Sequence, residues 1–298
     1  MNQVTAFKAL SKIKAALVPL GLYDLLLSSK IDLFFKKKLF SEIYDDSIDS
    51  ITTPLDGIKI TIPRAFVGKY IRQDYEPISR RAFLDSLGAG MVVVDVGAHI
   101  GYYSLIAAKR VTSSGTVHAI EPSRNNARWL DHNIASNNFN NIKVHYFAAG
   151  AKHGKRLFHI TKSSDCNGFY VNPIAETINT LETDVEPVDE IVRGPVHVTK
   201  IDVEGAEIEV LYGMKRILGE NPQLTLFLEW NPGCMRSAGR DPLELPSFLK
   251  EFGFTDICVL DDAERRIRPF EEVYETVQSG NTTEFWHVNL YARRLRRR

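Results

Sequence analysis

The sequence predicts an α/β protein in which a largely parallel β-sheet is covered by helices on both faces. Two observations support this fold class. From residue 91 onward, short apolar segments alternate with longer segments whose apolar residues recur at helical spacing, and such alternation is typical of parallel strands joined by helical crossovers. The segment MVVVDV (91–96) is also nearly continuously apolar, as strands buried on both faces are.

The composition is that of an ordinary globular protein with a substantial core. Of the 298 residues, 44% are hydrophobic and 25% are charged, and the 37 basic side chains match 37 acidic ones. This balance argues against a dedicated nucleic-acid-binding protein, which usually carries a basic excess. The three cysteines form no CxxC pair, so we expect neither a disulfide framework nor a thiolate zinc site. Their spacing favours a cytoplasmic location.

Residues 1–56 are predicted to form an N-terminal helical extension, and residues 57–298 the main domain. Up to about residue 47, apolar residues recur at helical spacing with lysines between them. Pro19 and Gly21 separate the helical segments. The alternating segment GIKITIP (57–63) then predicts the first strand of the main domain.

The main domain is predicted to continue as a series of strands and helices. Ser123 is the expected N-cap of one helix, because a serine hydroxyl accepts a hydrogen bond from a free amide of the first turn. The predicted strands are 91–96, 116–122, 143–150, 197–203, 223–230, 254–260 and 284–294. The predicted helices are 77–90, 101–111, 123–138, 204–220 and 242–253.

Two stretches interrupt this alternation. Residues 151–195 contain a predicted hairpin, begun by RLFHIT (156–161), and then a polar segment, whereas residues 231–241 form a loop after a strand. Open α/β sheets bind their ligands outside the carboxyl ends of their strands. We therefore predict that residues 161–195 and 231–241 are substrate loops.

The turn after the strand at 91–96 has the sequence Asp95-Val-Gly97-Ala-His99-Ile-Gly101. A dinucleotide site needs GxGxxG, so that a diphosphate can approach the backbone at the helix start. This turn has GxxxG instead, with a side chain in place of the middle glycine, which disfavours a diphosphate and therefore an NAD-dependent oxidoreductase. The carboxylate of Asp95 can pair with an ammonium group, and the amides of the helix start can bind a carboxylate.

A second acidic residue, Glu121, ends the next predicted strand, and 121 − 101 places it 20 residues past Gly101. A carboxylate at this spacing accepts hydrogen bonds from the hydroxyls of a ribose. An amino acid next to an unphosphorylated ribose describes S-adenosylmethionine. Taken singly, Asp95 could cap a turn, His99 could be a surface residue, and Glu121 could be a solvated charge before Pro122. Their combined spacing favours the cofactor site.

Several further segments carry a resemblance to a known family. They are DYEP (74–77), VVVDVGAHIGYYS (92–104), HAIEPS (118–123), the pair Asn133 and Asn138, and above all KIDVEGAEIEVLYG (200–213). Over roughly residues 57–260, the sequence resembles the FkbM-type methyltransferases, which use S-adenosylmethionine and mostly methylate hydroxyls of sugars or polyketide-like products.

The resemblance implies a Rossmann-like seven-stranded methyltransferase sheet whose last strand runs antiparallel, with residues 57–298 as the S-adenosylmethionine-dependent domain. It also implies that the segment before the glycine turn folds over the cofactor, which brings Tyr75 and Glu76 to it. His99 stands where the family more usually has asparagine, but either side chain can donate a hydrogen bond. The expected cofactor-binding residues are Glu76, Asp95, Gly97, Ala98, His99, Gly101, Tyr102, Glu121, Pro122 and Asp202.

The segment KIDVEGAE places Asp202 at the end of a predicted strand, with Glu204 and Glu207 at the start of a helix. Helix capping is an alternative role for Glu204 and Glu207, because acids are stabilised at a helix N-terminus. Methyl transfer to a hydroxyl needs a base. Asp202 is our first candidate for this base, and Glu229 is the second.

A magnesium site is a further possibility near the same strand ends. Asp202, Glu229 and Asn231 together form a possible set of oxygen ligands, which hard cations favour. No metal ligands are assigned from the sequence.

The sequence thus predicts an S-adenosylmethionine-dependent O-methyltransferase acting on a hydroxyl of a sugar, glycan or glycosylated or polyketide-like metabolite. The alternatives are N- or C-methylation of another small molecule and a non-catalytic protein that keeps the cofactor fold. We expect a small-molecule or glycan acceptor, no nucleic-acid partner and a possible homo-oligomer. The basic segments FFKKK (34–38) and ARRLRRR (292–298) could contact an anionic membrane surface.

Overall fold

The computed structural model describes residues 50–66, 75–283 and 286–294 of the chain. The chain divides into two compact units, Met1–Ile51 and Thr52–Arg298. The predicted N-terminal helices, the FFKKK segment and the last four residues lie outside the described residues, so their proposed roles stay predictions. Residues Ser50–Leu55, at the end of the predicted helical extension 1–56, form a strand instead, whereas the boundary between residues 56 and 57 stays a prediction.

The strands and helices of the described residues are numbered separately in chain order. The strands are β1 (Ser50–Leu55), β2 (Ile58–Pro63), β3 (Val92–Val96), β4 (Thr116–Ile120), β5 (Ile142–His145), β6 (Ala148–Ala149), β7 (Gly154–Thr161), β8 (Thr177–Glu186), β9 (Val198–Ile201), β10 (Thr225–Trp230), β11 (Asp256–Asp261), β12 (Arg266–Pro269) and β13 (Val288–Arg293). The helices are α1 (Pro77–Asp85), α2 (Tyr102–Val111), α3 (Arg124–Ser136), α4 (Val188–Ile191), α5 (Glu207–Tyr212), α6 (Lys215–Glu220), α7 (Pro232–Ser237), α8 (Glu244–Glu251) and α9 (Phe270–Gln278). Short 3₁₀ turns occupy Arg64–Phe66 and Ser164–Cys166.

The main sheet has eight strands in the order β12-β11-β13-β10-β9-β3-β4-β5. Strands β10, β9, β3, β4 and β5 pair in parallel. Strand β13 is antiparallel to both of its neighbours, β10 and β11. The structure therefore confirms the predicted α/β class and the antiparallel last strand. The order also brings the carboxyl ends of β3, β4, β9 and β10 to one edge of the sheet.

The predicted count of seven strands is one short, because β12 pairs antiparallel with β11 at the edge of the sheet. This strand has the sequence RIRP and is mostly exposed. A polar edge strand has no apolar alternation to reveal it, and charged side chains at such an edge also prevent pairing with other chains. The following helix, α9, was not predicted either.

The central strands are buried, as their apolar sequences predict. All four residues of β9 are buried, and so are four of the five residues of β3. The core between sheet and helices contains large side chains such as Trp230 and Phe254, both fully buried. Because this core fixes each strand from both faces, the polar residues at the strand ends lie at well-defined positions.

The predicted single helix at 204–220 is instead two short helices, α5 and α6, separated near Gly213. A Cβ atom on Gly213 would lie 2.1 Å from the carbonyl oxygen of Gly150. The glycine therefore allows another segment of backbone to approach the chain at this point. A residue with a side chain at position 213 would collide with the Gly150 backbone.

A second, three-stranded sheet has the order β6-β8-β7. Strands β7 and β8 pair antiparallel, which confirms the predicted hairpin at RLFHIT, and β6 pairs in parallel with β8. The predicted strand at 143–150 is thereby divided between β5 of the main sheet and β6 of this small sheet. Within residues 50–66, 75–283 and 286–294, no helix has the length and hydropathy of a transmembrane span.

Candidate functional site

A cleft of about 1110 Å³, including space open to solvent, lies at the carboxyl ends of the central strands. Ten of the eleven predicted site residues line it: Glu76, Asp95, Gly97, Ala98, His99, Tyr102, Glu121, Pro122, Asp202 and Glu229. Four further lining residues, Ser164, Asp165, Asn167 and Phe169, belong to the predicted substrate loop 161–195. The lining residues that were not predicted are Val96, Tyr103, Ile120, Asn126, Ala148, Ala149, Phe158, Lys200, Val203, Glu204 and His287.

Gly101, the eleventh predicted residue, is not among the lining residues. It is the N-cap of α2 and has a φ of +95°, which favours glycine over residues with a Cβ. A Cβ atom there would lie 2.6 Å from Cδ1 of Leu130. The requirement for glycine at this position therefore comes mainly from the left-handed backbone, because the Leu130 methyl is the end of a flexible side chain.

Gly97 joins the end of β3 to the turn that begins the cleft. Its φ is +83°, and a Cβ atom at this position would lie 1.9 Å from the carbonyl oxygen of Asp202. Because that oxygen belongs to the backbone, it cannot move away as a flexible side chain could. The absence of a side chain on Gly97 thus lets the turn after β3 contact the turn after β9.

Replacing Gly97 with alanine is expected to lower the free energy of unfolding by at least about 2 kcal/mol, because the left-handed backbone is strained for alanine and the new Cβ collides with Asp202. Chemical denaturation measures this change. Gly219→Ala in α6 is the matched control, since among the described residues no atom outside its own stretch of helix backbone lies within 4 Å of the added Cβ. We expect this variant to be neutral or to stabilise by up to about 1 kcal/mol. Equal stability of the two variants would contradict the packing argument.

His99 has a left-handed backbone conformation, with a φ of +51°. Its backbone amide donates a hydrogen bond to Oε2 of Glu121 at 2.8 Å, and its ring Nε2 lies 3.1 Å from Oγ of Ser164. Among residues with a Cβ, asparagine, aspartate and histidine adopt this conformation most often. Histidine can therefore replace the family's more usual asparagine, because the bond to Glu121 comes from the backbone.

Glu121 is buried, with only 4% of its surface exposed, so the alternative of a solvated charge before Pro122 is wrong. Its carboxylate accepts hydrogen bonds from the amides of His99 and Ser123 and from Nδ2 of Asn126. Burial raises the pKa of this carboxyl to about 7, although the three donors act in the opposite direction. These contacts fix the carboxylate in the wall of the cleft.

Asp95 is also buried, and its Oδ2 accepts a hydrogen bond from Oγ of Ser104 at 2.6 Å. In the parallel register of β3 and β9, Asp95 lies beside Lys200. Burial raises the pKa of the Asp95 carboxyl, and the positive charge of Lys200 partly offsets this effect. Asp95 therefore lies at the base of the cleft with a cation as its neighbour.

Lys200 is a functional candidate that sequence analysis missed. Its Nζ lies 2.7 Å from Oδ2 of Asp202 and 4.7 Å from the centre of the Tyr103 ring. Burial alone would lower the pKa of this ammonium group, but the carboxylates of Asp202, Glu76 and Asp95 raise it. A lysine within the otherwise apolar core of HVTKIDV was the signal that could have identified it, because buried lysines need a partner.

Glu76 lines the cleft ahead of α1, as the family resemblance implied. It adopts a left-handed conformation with a φ of +45°. Its Oε2 accepts a hydrogen bond from the Tyr103 hydroxyl at 2.5 Å, and Nδ2 of Asn289 lies 3.5 Å from its Oε1. These contacts connect the segment before α1 to helix α2 and strand β13.

Asp202, Glu204 and Glu229 form a cluster of carboxylates in the cleft, and one oxygen atom of each lies within 4.8 Å of the others. Burial and the neighbouring Asp202 raise the pKa of Glu204 to about 8. Burial, followed by repulsion from Glu204 and Asp202, raises the pKa of Glu229 well above its usual value. The three acids therefore repel one another in a partly desolvated site.

The two glutamates that begin the segment after Asp202 have different roles. Glu207 accepts hydrogen bonds from the amides of Val203 and Gly205, both at 3.2 Å, and so supports the turn that precedes α5. Glu204 instead accepts hydrogen bonds from Nδ2 of Asn172 at 2.9 Å and from Sγ of Cys234 at 3.3 Å. Capping is therefore the wrong interpretation for Glu204, whose side chain lines the cleft.

Asn231 does not join the acidic residues as a metal ligand. Its Oδ1 accepts a hydrogen bond from the amide of Cys234 at 3.1 Å and caps α7. The segment 231–241 is largely occupied by α7 rather than by an open loop, and none of its residues is among those lining the cleft. Residues of the other predicted substrate loop, including Ser164 and Phe169, do line the cleft.

Comparisons with known proteins agree with this geometry. The sequence model described as "Methyltransferase FkbM domain" matches residues 95–255, which is more than half of the chain. A search of curated proteins returns no match. The sheet order and the acid-lined cleft define the class as an α/β methyltransferase fold. The chain belongs to the FkbM family of S-adenosylmethionine-dependent methyltransferases.

Solved structures of methyltransferases are similar to this chain. A methyltransferase FkbM from Methylobacillus flagellatus KT has 21% identity and a TM-score of 0.45, with coverage of 70% of this chain and 44% of that chain. TYW2 from M. jannaschii, in complex with AdoMet, has 17% identity, a TM-score of 0.45 and coverage of 83% and 87%. An S-adenosylmethionine-dependent O-methyltransferase from Thermotoga maritima has 14% identity, a TM-score of 0.42 and coverage of 87% and 83%. The chain thus spans less than half the length of the first of these proteins.

Proposed function

We propose that the protein transfers a methyl group from S-adenosylmethionine to a hydroxyl of a sugar, a glycan, or a glycosylated or polyketide-like metabolite. One observation carries the proposal: acidic side chains at the ends of four neighbouring strands all line a single cleft. Asp95 lies near the end of β3 and Glu121 follows β4, and they are suited to a cofactor. Asp202 and Glu229, at the ends of β9 and β10, are suited to the acceptor.

The residues of the cleft fit this cofactor in chemistry. The oxygens of Glu121, held by amide donors on one side, are of the type that accepts hydrogen bonds from ribose hydroxyls. Asp95 offers a partner for the cofactor's ammonium group, and Lys200 offers one for its carboxylate.

When bound, the cofactor supplies an activated methyl group on a sulfonium sulfur. The remaining work of the protein is to align the acceptor oxygen with that group and to remove the hydroxyl proton. Asp202 is the stronger candidate for the base, because the ammonium of Lys200 at 2.7 Å stabilises its ionised form. Glu229, whose pKa is raised above its usual value by burial and by repulsion from Glu204 and Asp202, is the weaker candidate, because its environment destabilises the ionised form that a base needs.

The acceptor site is proposed to include the segment 161–195, since several of its residues line the same cleft as the strand-end acids. Phe158 and Phe169 pack edge to face, with ring centres 5.8 Å apart, and provide an apolar surface beside the carboxylates. Small-molecule sites commonly combine apolar and aromatic side chains with a few polar groups. The free state of Cys166, Cys234 and Cys258 supports our further proposal of a cytoplasmic location.

Calorimetry with S-adenosylhomocysteine and with NAD tests the cofactor assignment, and we expect binding of the first alone. The acceptor class is then tested by measuring formation of S-adenosylhomocysteine from S-adenosylmethionine with a panel of sugars, glycosides, polyketide alcohols and amines. Turnover with hydroxyl acceptors supports the proposal. Turnover confined to amines would show N-methylation instead, and binding without turnover on the hydroxyl and amine panel would contradict the O-methyltransferase proposal.

A further inference from the structure

We propose that Asp202, Glu204 and Glu229 bind a divalent cation such as Mg²⁺ or Mn²⁺ in the wall of the cleft. One carboxylate oxygen from each residue lies within 4.8 Å of the other two. Oxygens that ligate one such ion at roughly 2.1–2.5 Å lie no more than about 5 Å apart. The three oxygens are therefore close enough to contact a single ion, and their chemistry matches the preference of hard cations for oxygen ligands.

The environment of Glu229 is a second, independent observation that indicates a cation at this position. This residue is 8% exposed, and its Oε2 has no hydrogen-bond partner within the part of the chain that the structure describes. A buried carboxylate oxygen without a donor is costly, because it loses its hydration and gains nothing in return. A cation bound between Glu229 and its two acidic neighbours would provide the absent interaction.

The balance of charge around the cluster agrees with a cation site. Lys200 contributes one positive charge beside three carboxylates, and it contacts Asp202. The three carboxylates repel one another, since an oxygen of each lies within 4.8 Å of the others. A divalent ion would remove this repulsion, since a bound metal ion is often the largest charge in its site.

Neighbouring groups hold Glu204 in the position that the site requires. Asn172 and Cys234 both donate to its Oε2, at 2.9 and 3.3 Å. The adjoining Gly205 has a φ of +97°, and a Cβ atom there would lie 2.7 Å from the carbonyl oxygen of Cys234. The turn that carries Glu204 is thus packed against α7, and such supporting contacts are what orient metal ligands in proteins.

The role of the ion rests on the proposed function. All three ligands line the cleft, so an ion held by them could also contact a bound acceptor. It would favour acceptors with a second oxygen beside the reacting hydroxyl, such as a vicinal diol, because two neighbouring oxygens can bind one cation together. The existence of the ion site can be tested without any acceptor.

The test is a titration of the full-length, chelator-treated protein with Mn²⁺ alone, in which free Mn²⁺ is measured by electron paramagnetic resonance. We expect one ion per wild-type chain. Glu229→Gln and Glu204→Gln are each expected to raise the Kd at least about 10-fold, because both the charge and the number of carboxylate ligands fall. The matched control is Glu182→Gln, which removes an exposed carboxylate on β8 and should leave the Kd unchanged.

Two results would overturn the inference: no Mn²⁺ binding by the wild type up to about 1 mM, the weak end of protein calcium sites, or equal affinity in all the variants. Binding of S-adenosylhomocysteine, measured on the same samples with chelator present, shows that each variant is folded. If Glu229→Gln does not fold, the Kd of the more exposed Glu204→Gln variant decides between the outcomes.

Cofactor binding without Mn²⁺ binding would refute only the ion site, whereas Mn²⁺ binding without cofactor binding would refute only the proposed function.

Discussion

Replacing Asp202 with asparagine is expected to lower the kcat for methyl transfer by about 100-fold or more, with little change in the Kd for S-adenosylhomocysteine. A positioned general base contributes roughly 10²- to 10⁴-fold to a rate, and asparagine cannot accept the hydroxyl proton. The substitution preserves the size of the side chain beside Lys200. Single-turnover kinetics and calorimetry measure the two quantities separately.

The control for this prediction is Asp184→Asn, which removes an exposed carboxylate on β8 and should alter neither quantity. Glu229→Asn is not an adequate control, because Glu229 belongs to the same carboxylate cluster. If Asp202→Asn retained wild-type kcat on an acceptor that the protein demonstrably methylates, Asp202 would not be the base. A loss of cofactor affinity as large as the loss in kcat would instead assign Asp202 to the cofactor.

The strand-end acids could be predicted from the sequence because their positions follow from local patterns. A buried parallel strand is recognisable as a short apolar run, and its carboxyl end must lie at the ligand-binding edge of an open sheet. Asp95, Glu121, Asp202 and Glu229 each end such a run, so their convergence follows from topology alone. The structure places all four in the cleft.

The partners of these acids could not be predicted in the same way, because they come from distant parts of the chain. Asn172 contacts Glu204 across 32 residues, and Ser164 contacts His99 across 65. Both contacts depend on how the β6-β8-β7 sheet is placed beside the main sheet. The polar segment 161–195 has no periodic pattern from which that placement could be inferred.

Asn231 was correctly placed at the end of β10, but its side chain caps a helix instead of joining the acidic residues. The residue does follow β10 at the ligand-binding edge, as the metal hypothesis required. Its side-chain oxygen is used by the amide of Cys234, because asparagine is among the best N-cap residues and Pro232 favours the first position of a helix. A cap followed by proline predicts a helix start, and this signal was present in the sequence as NPGC.

Replacing Glu121 with glutamine is expected to weaken binding of S-adenosylhomocysteine by about 30-fold, which corresponds to a loss of about 2 kcal/mol, and to affect kcat much less. Hydrogen bonds to a charged group contribute roughly 1.5–3 kcal/mol. An amide group also presents a donor where the amides of His99 and Ser123 require an acceptor. Calorimetry on Glu121→Gln and on the exposed control Glu182→Gln measures the effect.

The pH dependence of cofactor binding distinguishes a ribose-binding Glu121 from one that only supports the turn. Because burial raises the pKa of Glu121 to about 7, the carboxyl is largely protonated at pH 6 and ionised at pH 8. The ionised form accepts more hydrogen bonds, so the affinity of the wild type for S-adenosylhomocysteine should rise across this interval. Glutamine does not titrate, and the rise should be much smaller in Glu121→Gln. Parallel pH profiles for the two proteins would mean that Glu121 holds the turn after β3 without contacting the cofactor.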